Sequence, residues 1–191
     1  MSVAAKEFIP WYVYAAVLLC LAFIAAGQGV AGSSAGLSLV AGFLSWGLIE
    51  YVLHRFVFHY DAQSKTGRKL LYYAHISHHE DPDRRSKHLA SLILSTPVAA
   101  VYWLLAWAAT GSWAIATLLL SGMGFGYLFY QWIHFQCHHG KVRLRALRYL
   151  RRYHLLHHHQ TPDLRFGVTS PVFDFVFRTF RPVITRARRA Q

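Results

Sequence analysis

In residues 37–59, LSLVAGFLSWGLIEYVLHRFVFH, a long apolar run ends in two histidines. A helix needs about 20 mostly apolar residues to cross a bilayer, and 37–58 meets that length. Glu50 interrupts the run, and a charged side chain inside a span is costly and usually functional. The stretch therefore predicts a spanning helix with chemically active side chains near one end.

Three further apolar runs of similar length predict three more spans. With 37–58, the expected spans are 11–30, 89–109 and 113–133. We therefore predict an all-α, polytopic membrane protein with four transmembrane helices, formed as a single integral-membrane domain over 1–191. The remaining segments are a cytosolic helical cap at 59–88 and 134–180, and a basic tail at 181–191.

The charge distribution predicts the orientation. The chain is 54% hydrophobic, yet carries 20 Lys+Arg against 8 Asp+Glu, a formal net charge of +12. The turns between the paired spans, at 27–36 and 110–112, contain no Lys or Arg. The positive-inside rule therefore places both termini and the cap in the cytoplasm. Because the basic residues border apolar runs, they favour anionic lipid headgroups over nucleic acid as a partner.

All 13 histidines lie between positions 54 and 159, grouped at the predicted cytosolic ends of the spans. The groups are His54 with His59, His75 with His78 and His79, His134 with His138 and His139, and His154 with His157, His158 and His159. Residues three and four apart share a helix face, so each HxxHH pattern is expected to present one comb of imidazoles. His54 and His59 are about 140° apart on an α-helix and require a helix end, a bend or two different metals.

The number of histidines indicates two metal ions. Ten imidazoles exceed the about four to six ligands that one ion accepts. His88, His139 and His159 are surplus and are expected to be exposed or to lie outside direct coordination. Glu50 is predicted to accept the second ring N–H of a ligand histidine, with an ion pair to Arg55 as the alternative.

An all-imidazole pair points to oxidative chemistry. Neutral imidazole suits iron, copper and zinc. Zinc would favour hydrolysis, but the chain has no H-E-x-x-H arrangement to supply a carboxylate base. Paired iron with open positions can bind dioxygen and attack an unactivated C–H bond, and a site at the membrane face fits an acyl or isoprenoid substrate.

The order HxxxxH, HxxHH, HxxxHH and HxxHH resembles the fatty acid hydroxylase and sterol desaturase superfamily. Segments 50–59, 126–130, 153–158 and 166–177 are similar to fatty acid 2-hydroxylases within it. Carried over by motif position, the implied metal ligands are His54, His59, His75, His78, His79, His134, His138, His154, His157 and His158.

The resemblance implies hydroxylation of a fatty acyl chain at the carbon next to the carboxyl, with dioxygen and two electrons. The implied metal is iron, with zinc as the alternative. Tyr130 and Gln131 are expected near the metals or the substrate, and Gln131 stands where these hydroxylases tend to have Asp. The cytochrome domain that is fused to eukaryotic members is not found in the sequence, so we expect a separate electron-transfer protein and a bacterial inner membrane rather than the endoplasmic reticulum.

Two alternatives stay open at this point. One is another activity of the same superfamily, namely lipid desaturation or hydroxylation of a sterol or carotenoid. The other is a non-catalytic metal-binding membrane protein.

Overall fold

Helices make up the regular structure of the part of this chain that the structure describes. The computed structural model describes residues 3–83 and 92–183. In chain order the elements are α1 (Val3–Ala26), α2 (Gly32–Val52), π1 (Leu53–Phe58), α3 (Lys65–Leu71), π2 (Tyr72–Ile76), α4 (Ser77–Glu80), α5 (Leu92–Thr110), α6 (Trp113–His139), α7 (Arg145–His159) and α8 (Val172–Val176). The described residues contain no strand, which confirms the predicted all-α class.

The four long helices α1, α2, α5 and α6 coincide with the four apolar runs of the sequence. Two helical stretches, Gly32–Phe58 and Trp113–His139, are long and apolar enough to cross a membrane, and Trp11–Ala26 is a shorter apolar helix. His88 and the basic tail from residue 184 onward lie outside the described residues.

The chain forms two compact units, of which the first comprises Met1–Leu48 and Leu89–Phe129. Within it α2 and α6 approach closely through glycines. A Cβ at Gly42 would overlap the backbone of Leu119, and one at Gly122 would overlap the backbone of Leu39. Close approach through small residues is how helices associate in lipid, where van der Waals contact replaces the hydrophobic effect.

The first unit exposes large apolar side chains and buries a cluster that consists mostly of alanines. Phe23, Leu37 and Leu105 are 83%, 71% and 66% exposed. The buried cluster consists of Ala25, Ala35, Ala114 and Leu118. A large exposed apolar surface marks a membrane or protein contact, so this arrangement fits a lipid environment.

The second unit comprises Ile49–His88 and Tyr130–Gln191 and contains the histidine groups. Helix α7 is strongly amphipathic, because Leu147 and Leu150 pack on the cluster of Ile133, Cys137 and Val168. The outer face of α7 is basic, with exposed Arg145, Arg148 and Arg152. The inner face therefore packs within the unit, and the outer face carries the charge.

Candidate metal centre

Ten histidines of the second unit form two groups of five whose ligand atoms converge. Cluster 1 is His54, His59, His75, His79 and His157. Cluster 2 is His78, His134, His138, His154 and His158. Within each cluster all five candidate ligand atoms lie within 4.8 Å of one another. These are the ten residues that the sequence motifs indicated, and either cluster could hold a metal ion.

A π-helical turn explains how His54 and His59 enter the same cluster. The N–H of His59 donates to the carbonyl of His54 over 3.3 Å, which is the bond between residues five apart that defines a π-helix. Residues five apart are therefore stacked along π1, and the two imidazole centroids are 5.1 Å apart. The bend that the sequence required is this local widening of the helix.

The HxxHH patterns do not form single combs, which corrects the sequence expectation. His75 and His79 belong to cluster 1, whereas His78 between them belongs to cluster 2. The second pattern is reversed, because His154 and His158 belong to cluster 2 and His157 to cluster 1. On a helix the i+3 side chain lies about 60° to one side of residue i and the i+4 side chain about 40° to the other, so one motif can straddle two ions.

The contacts among ring nitrogens fit a central cation better than hydrogen bonding. The Nε2 atom of His75 lies 3.0, 3.2 and 2.8 Å from those of His54, His59 and His79. One ring nitrogen has a single in-plane proton or lone pair and cannot satisfy three neighbours. Two imidazoles at right angles on one ion, each about 2.1 Å from it, have nitrogens about 3.0 Å apart. The donor set therefore matches a shared metal.

A buried nitrogen without a partner supports the same conclusion for cluster 1. Nε2 of His157 is buried and has no hydrogen-bond partner in residues 3–83 and 92–183. Orphaned buried polar atoms are rare and point to an absent ion or water. Nδ1 of His157 bonds to the carbonyl of Leu164, so Nε2 is the nitrogen that this ring has left to offer to cluster 1.

Burial keeps these imidazoles neutral. It lowers the pKa of His79 to about 4 and that of His157 to about 3, and it lowers the pKa of His75, His154 and His158 well below the usual range. Neighbouring histidines add to the effect, because a second positive charge there is unfavourable. Neutral imidazole is the form that ligates metal.

Two backbone carbonyls orient ligands of cluster 1. Nδ1 of His54 donates to the carbonyl of Phe166 over 2.6 Å, and Nδ1 of His157 donates to that of Leu164 over 2.7 Å. A carbonyl only accepts, so Nδ1 carries the proton and Nε2 keeps the lone pair for metal. These carbonyls could not be predicted from the sequence, since the carbonyl of Phe166 lies 112 positions from His54.

The hydrogen bonds of Glu50 differ from the prediction. Its carboxylate accepts the N–H of Val168, the N–H of Thr169 at 3.0 Å and the hydroxyl of Thr169 at 2.6 Å, rather than a histidine ring. Arg55 donates to Tyr51 and to the carbonyl of Phe177, so the alternative ion pair with Glu50 is not formed either. The ring N–H groups of His54 and His157 donate to the carbonyls of Phe166 and Leu164 instead.

The other predicted residues have simpler surroundings. The ring of Tyr130 stacks on that of His134 at a centroid distance of 5.5 Å, and Gln131 is buried. Cys137, which is not among the predicted site residues, precedes His138 and is buried against Ile133 and Val168 as a packing residue. Of the surplus histidines, His159 is exposed and His139 is half-buried against Phe135.

Comparisons with known proteins agree with this site. The sequence profile of the fatty acid hydroxylase family matches residues 39–179. The chain is 34% identical to the dihydroceramide fatty acyl 2-hydroxylase FAH2 of Arabidopsis thaliana, over 87% of this chain and 70% of that protein. It is 36% identical to the ceramide very long chain fatty acid hydroxylase SCS7 of Saccharomyces cerevisiae, over 73% of this chain and 36% of that protein. A solved structure of full-length scs7p, with only the hydroxylase domain visible, superposes with a TM-score of 0.84 at 29% identity, covering 94% of this chain and 69% of that one.

These relatives overturn one expectation. They come from a plant, yeasts and mammals, so the preference for a bacterial inner membrane is wrong. That preference relied on a domain not found in the sequence, which says nothing about the catalytic core.

The family match covers both histidine clusters and the loop that supports one of them. The same histidines that define the family motif are those that converge in space. The protein is therefore an enzyme, and the non-catalytic alternative is rejected. This chain belongs to the fatty acid hydroxylase family and is a histidine-rich, membrane-bound oxidoreductase.

Proposed function

We propose that this protein hydroxylates a fatty acyl chain of a membrane lipid at the 2-position. The observation that carries the proposal is the pair of five-histidine clusters, in a chain whose relatives are named as fatty acyl 2-hydroxylases. The proposed lipid is a ceramide-type or free fatty acyl substrate, in line with those names.

The reaction inserts one oxygen atom of dioxygen into a C–H bond and releases the other as water, which consumes two electrons and two protons. Two bound iron ions would supply the activation of dioxygen. The ten histidines would hold these ions, and five imidazoles per ion leave one of six positions for oxygen or substrate. Donation from His54 and His157 to backbone carbonyls would keep their Nε2 lone pairs directed at cluster 1.

We also propose a four-span membrane core with a cytosolic cap in one domain, and a separate protein as electron donor. The four long helices and the apolar exterior of the first unit support the spans. The exposed arginines on the outer face of α7 support an acidic donor, because α7 carries three of the ten ligands on its inner face. Tyr130 and Gln131 are proposed to position the substrate or the ligands near His134.

The test is lipid mass spectrometry of membranes from cells that express the intact chain or a His78→Ala variant, grown under isotopically labelled dioxygen. We expect one labelled oxygen at the carbon next to the acyl carboxyl with the intact chain alone. His159→Ala is the control, because His159 is exposed and outside both clusters. Loss of two hydrogens would assign desaturation instead, and oxygen at another carbon would overturn the 2-position. Unchanged lipids would overturn the proposal as a whole.

A further inference from the structure

Residues 164–169, here called the carbonyl loop, supply the two carbonyls that accept from cluster 1. The carbonyls of Leu164 and Phe166 accept from His157 and His54. These two histidines lie on different helices and are 103 positions apart in the sequence. The position of the loop therefore decides whether both rings aim at the same point.

One side of the carbonyl loop is held by Asp174, which is fully buried. Its Oδ1 accepts the N–H of Phe166 over 2.8 Å and its Oδ2 accepts the N–H of Gly167 over 2.9 Å. The hydroxyl of Thr179 donates to Oδ1 over 2.7 Å, and Tyr51 lies 2.8 Å from that hydroxyl. Both carboxylate oxygens are thus occupied by directed donors.

The other side of the carbonyl loop is held by Glu50, which is 4% exposed. It accepts the N–H groups of Val168 and Thr169, the next two residues along the loop. Four consecutive backbone N–H groups, from 166 to 169, are therefore divided between two carboxylates. The carbonyl of Phe166, which orients His54, lies within this run.

Holding a short loop with two buried carboxylates costs desolvation free energy. Burial of an ionised group is unfavourable unless hydrogen bonds or a counter-charge offset it. Over residues 3–83 and 92–183 neither Glu50 nor Asp174 forms an ion pair, and backbone N–H groups hold both. A neutral amide or hydroxyl would lose less hydration free energy on burial. The use of two carboxylates therefore indicates that the loop must be held in an exact position.

We propose that Glu50 and Asp174 are positioning residues for cluster 1 alone, acting through the carbonyl loop on His54 and His157. This inference rests on the proposed metal-dependent function. It assigns Asp174 a role that the sequence did not suggest. We call Glu50 and Asp174 together the clamp. Loss of either carboxylate is predicted to empty one metal site while the other stays filled.

The test measures zinc bound to the purified full-length chain at equilibrium. The intact chain should bind two ions. Glu50→Gln and Asp174→Asn should each weaken cluster 1 by roughly tenfold to a hundredfold, the range for loss of an outer-shell partner. At limiting zinc these variants should hold one ion, and excess zinc should restore the second. Asp83→Asn is the matched control, since Asp83 is an exposed carboxylate of the same unit.

Cluster-specific backgrounds assign the lost ion. With cluster 2 disabled by His154→Ala, addition of Asp174→Asn should remove the remaining ion at limiting zinc. With cluster 1 disabled by His75→Ala, the same addition should change nothing. Thr169→Val, which removes only the hydroxyl bond to Glu50, is a mild variant for the case that the others fail to fold, and it should weaken cluster 1 alone by a few-fold.

The outcomes separate the two proposals. If the intact chain binds no metal, the proposed function fails. If the intact chain binds two ions and the clamp variants bind them equally well, the positioning role fails. Parallel loss of both ions with a lowered melting temperature would also overturn it, since that result describes a purely structural role.

Discussion

Cluster 1 and cluster 2 draw their histidines from the same kinds of motif, but the local structure that holds the histidines differs. Each takes two histidines from the end of a long helical stretch, an i, i+4 pair from one HxxHH pattern and the i+3 histidine of the other pattern. The reciprocal exchange of His78 and His157 ties the two clusters together. The rings of His79 and His158, one from each cluster, stack at a centroid distance of 4.1 Å. Neither cluster is complete without both HxxHH patterns.

The supports differ in two ways. The first pair of cluster 1 is five residues apart on a π-helical turn, whereas His134 and His138 of cluster 2 are four apart on the regular helix α6. Cluster 1 also has rings fixed by backbone carbonyls, whereas Nδ1 of His154 and of His158 in cluster 2 have no hydrogen-bond partner among the described residues. The same ligand set can therefore be reached from regular or irregular backbone.

The largest expected effect tests whether the two HxxHH patterns exchange His78 and His157 between the clusters. His157→Ala and His158→Ala change neighbouring residues of α7 but should remove ions from different clusters, and each should abolish hydroxylation because a direct ligand is lost. In a His75→Ala background, His158→Ala should remove the remaining ion and His157→Ala should leave it. Metal analysis of the purified variants checks this, with His159→Ala as the control. Equal effects in that background would refute the assignment of His157 to cluster 1.

A smaller effect is expected from Gly167→Ala in the carbonyl loop. A Cβ there would overlap the carbonyl of Ser170 and come within 2.9 Å of Oδ2 of Asp174. Overpacking of this kind costs about 1–3 kcal/mol, and the displaced loop should weaken cluster 1. Thermal unfolding and zinc titration measure the two consequences.

Gly36→Ala is the comparison for that variant, because a Cβ at Gly36 has no heavy atom within 4 Å and helix α2 tolerates alanine. It should leave metal binding unchanged. A Gly167→Ala protein with two tightly bound ions would show that the loop position is unimportant for cluster 1.

The smallest effect should come from Tyr130→Leu beside cluster 2. The stacked ring contact with His134 is lost, and such aromatic pairs contribute about 0.5–1.5 kcal/mol. We expect a loss of zinc affinity of roughly twofold to tenfold at cluster 2, with cluster 1 unchanged. Competition with a chelator measures it, and Tyr12→Leu, at an exposed tyrosine of the first unit, is the control. Weakening of cluster 1 would contradict the separation of the two supports.

Local pattern explains what could be predicted. The apolar runs predicted where the four long helices lie, and two of these helices are long and apolar enough to cross a membrane. The grouping of histidines gave the ten residues that converge. Glu50 could be singled out from its position in an apolar run, but its hydrogen-bond partners are Val168 and Thr169 and not the predicted histidine ring.

Long-range contacts explain what could not be predicted. The bond from His54 to Phe166 joins residues 112 positions apart, and that from Val168 to Glu50 joins residues 118 apart. Asp174 lies in a five-residue helix with no pattern of its own. The spacing of His54 and His59 indicated a bend near 53–58 but not that it is a π-helical turn, and no pattern indicated the second such turn at 72–76.

Apolar length and histidine spacing are properties of the chain, so they were sufficient to predict the class of protein and the set of candidate ligands. Which histidine belongs to which cluster could be seen only in the folded chain. That assignment depends on angles between side chains of different helices, on two widened turns and on a clamped loop. These are set by contacts between distant segments, and spacing along one helix cannot encode them.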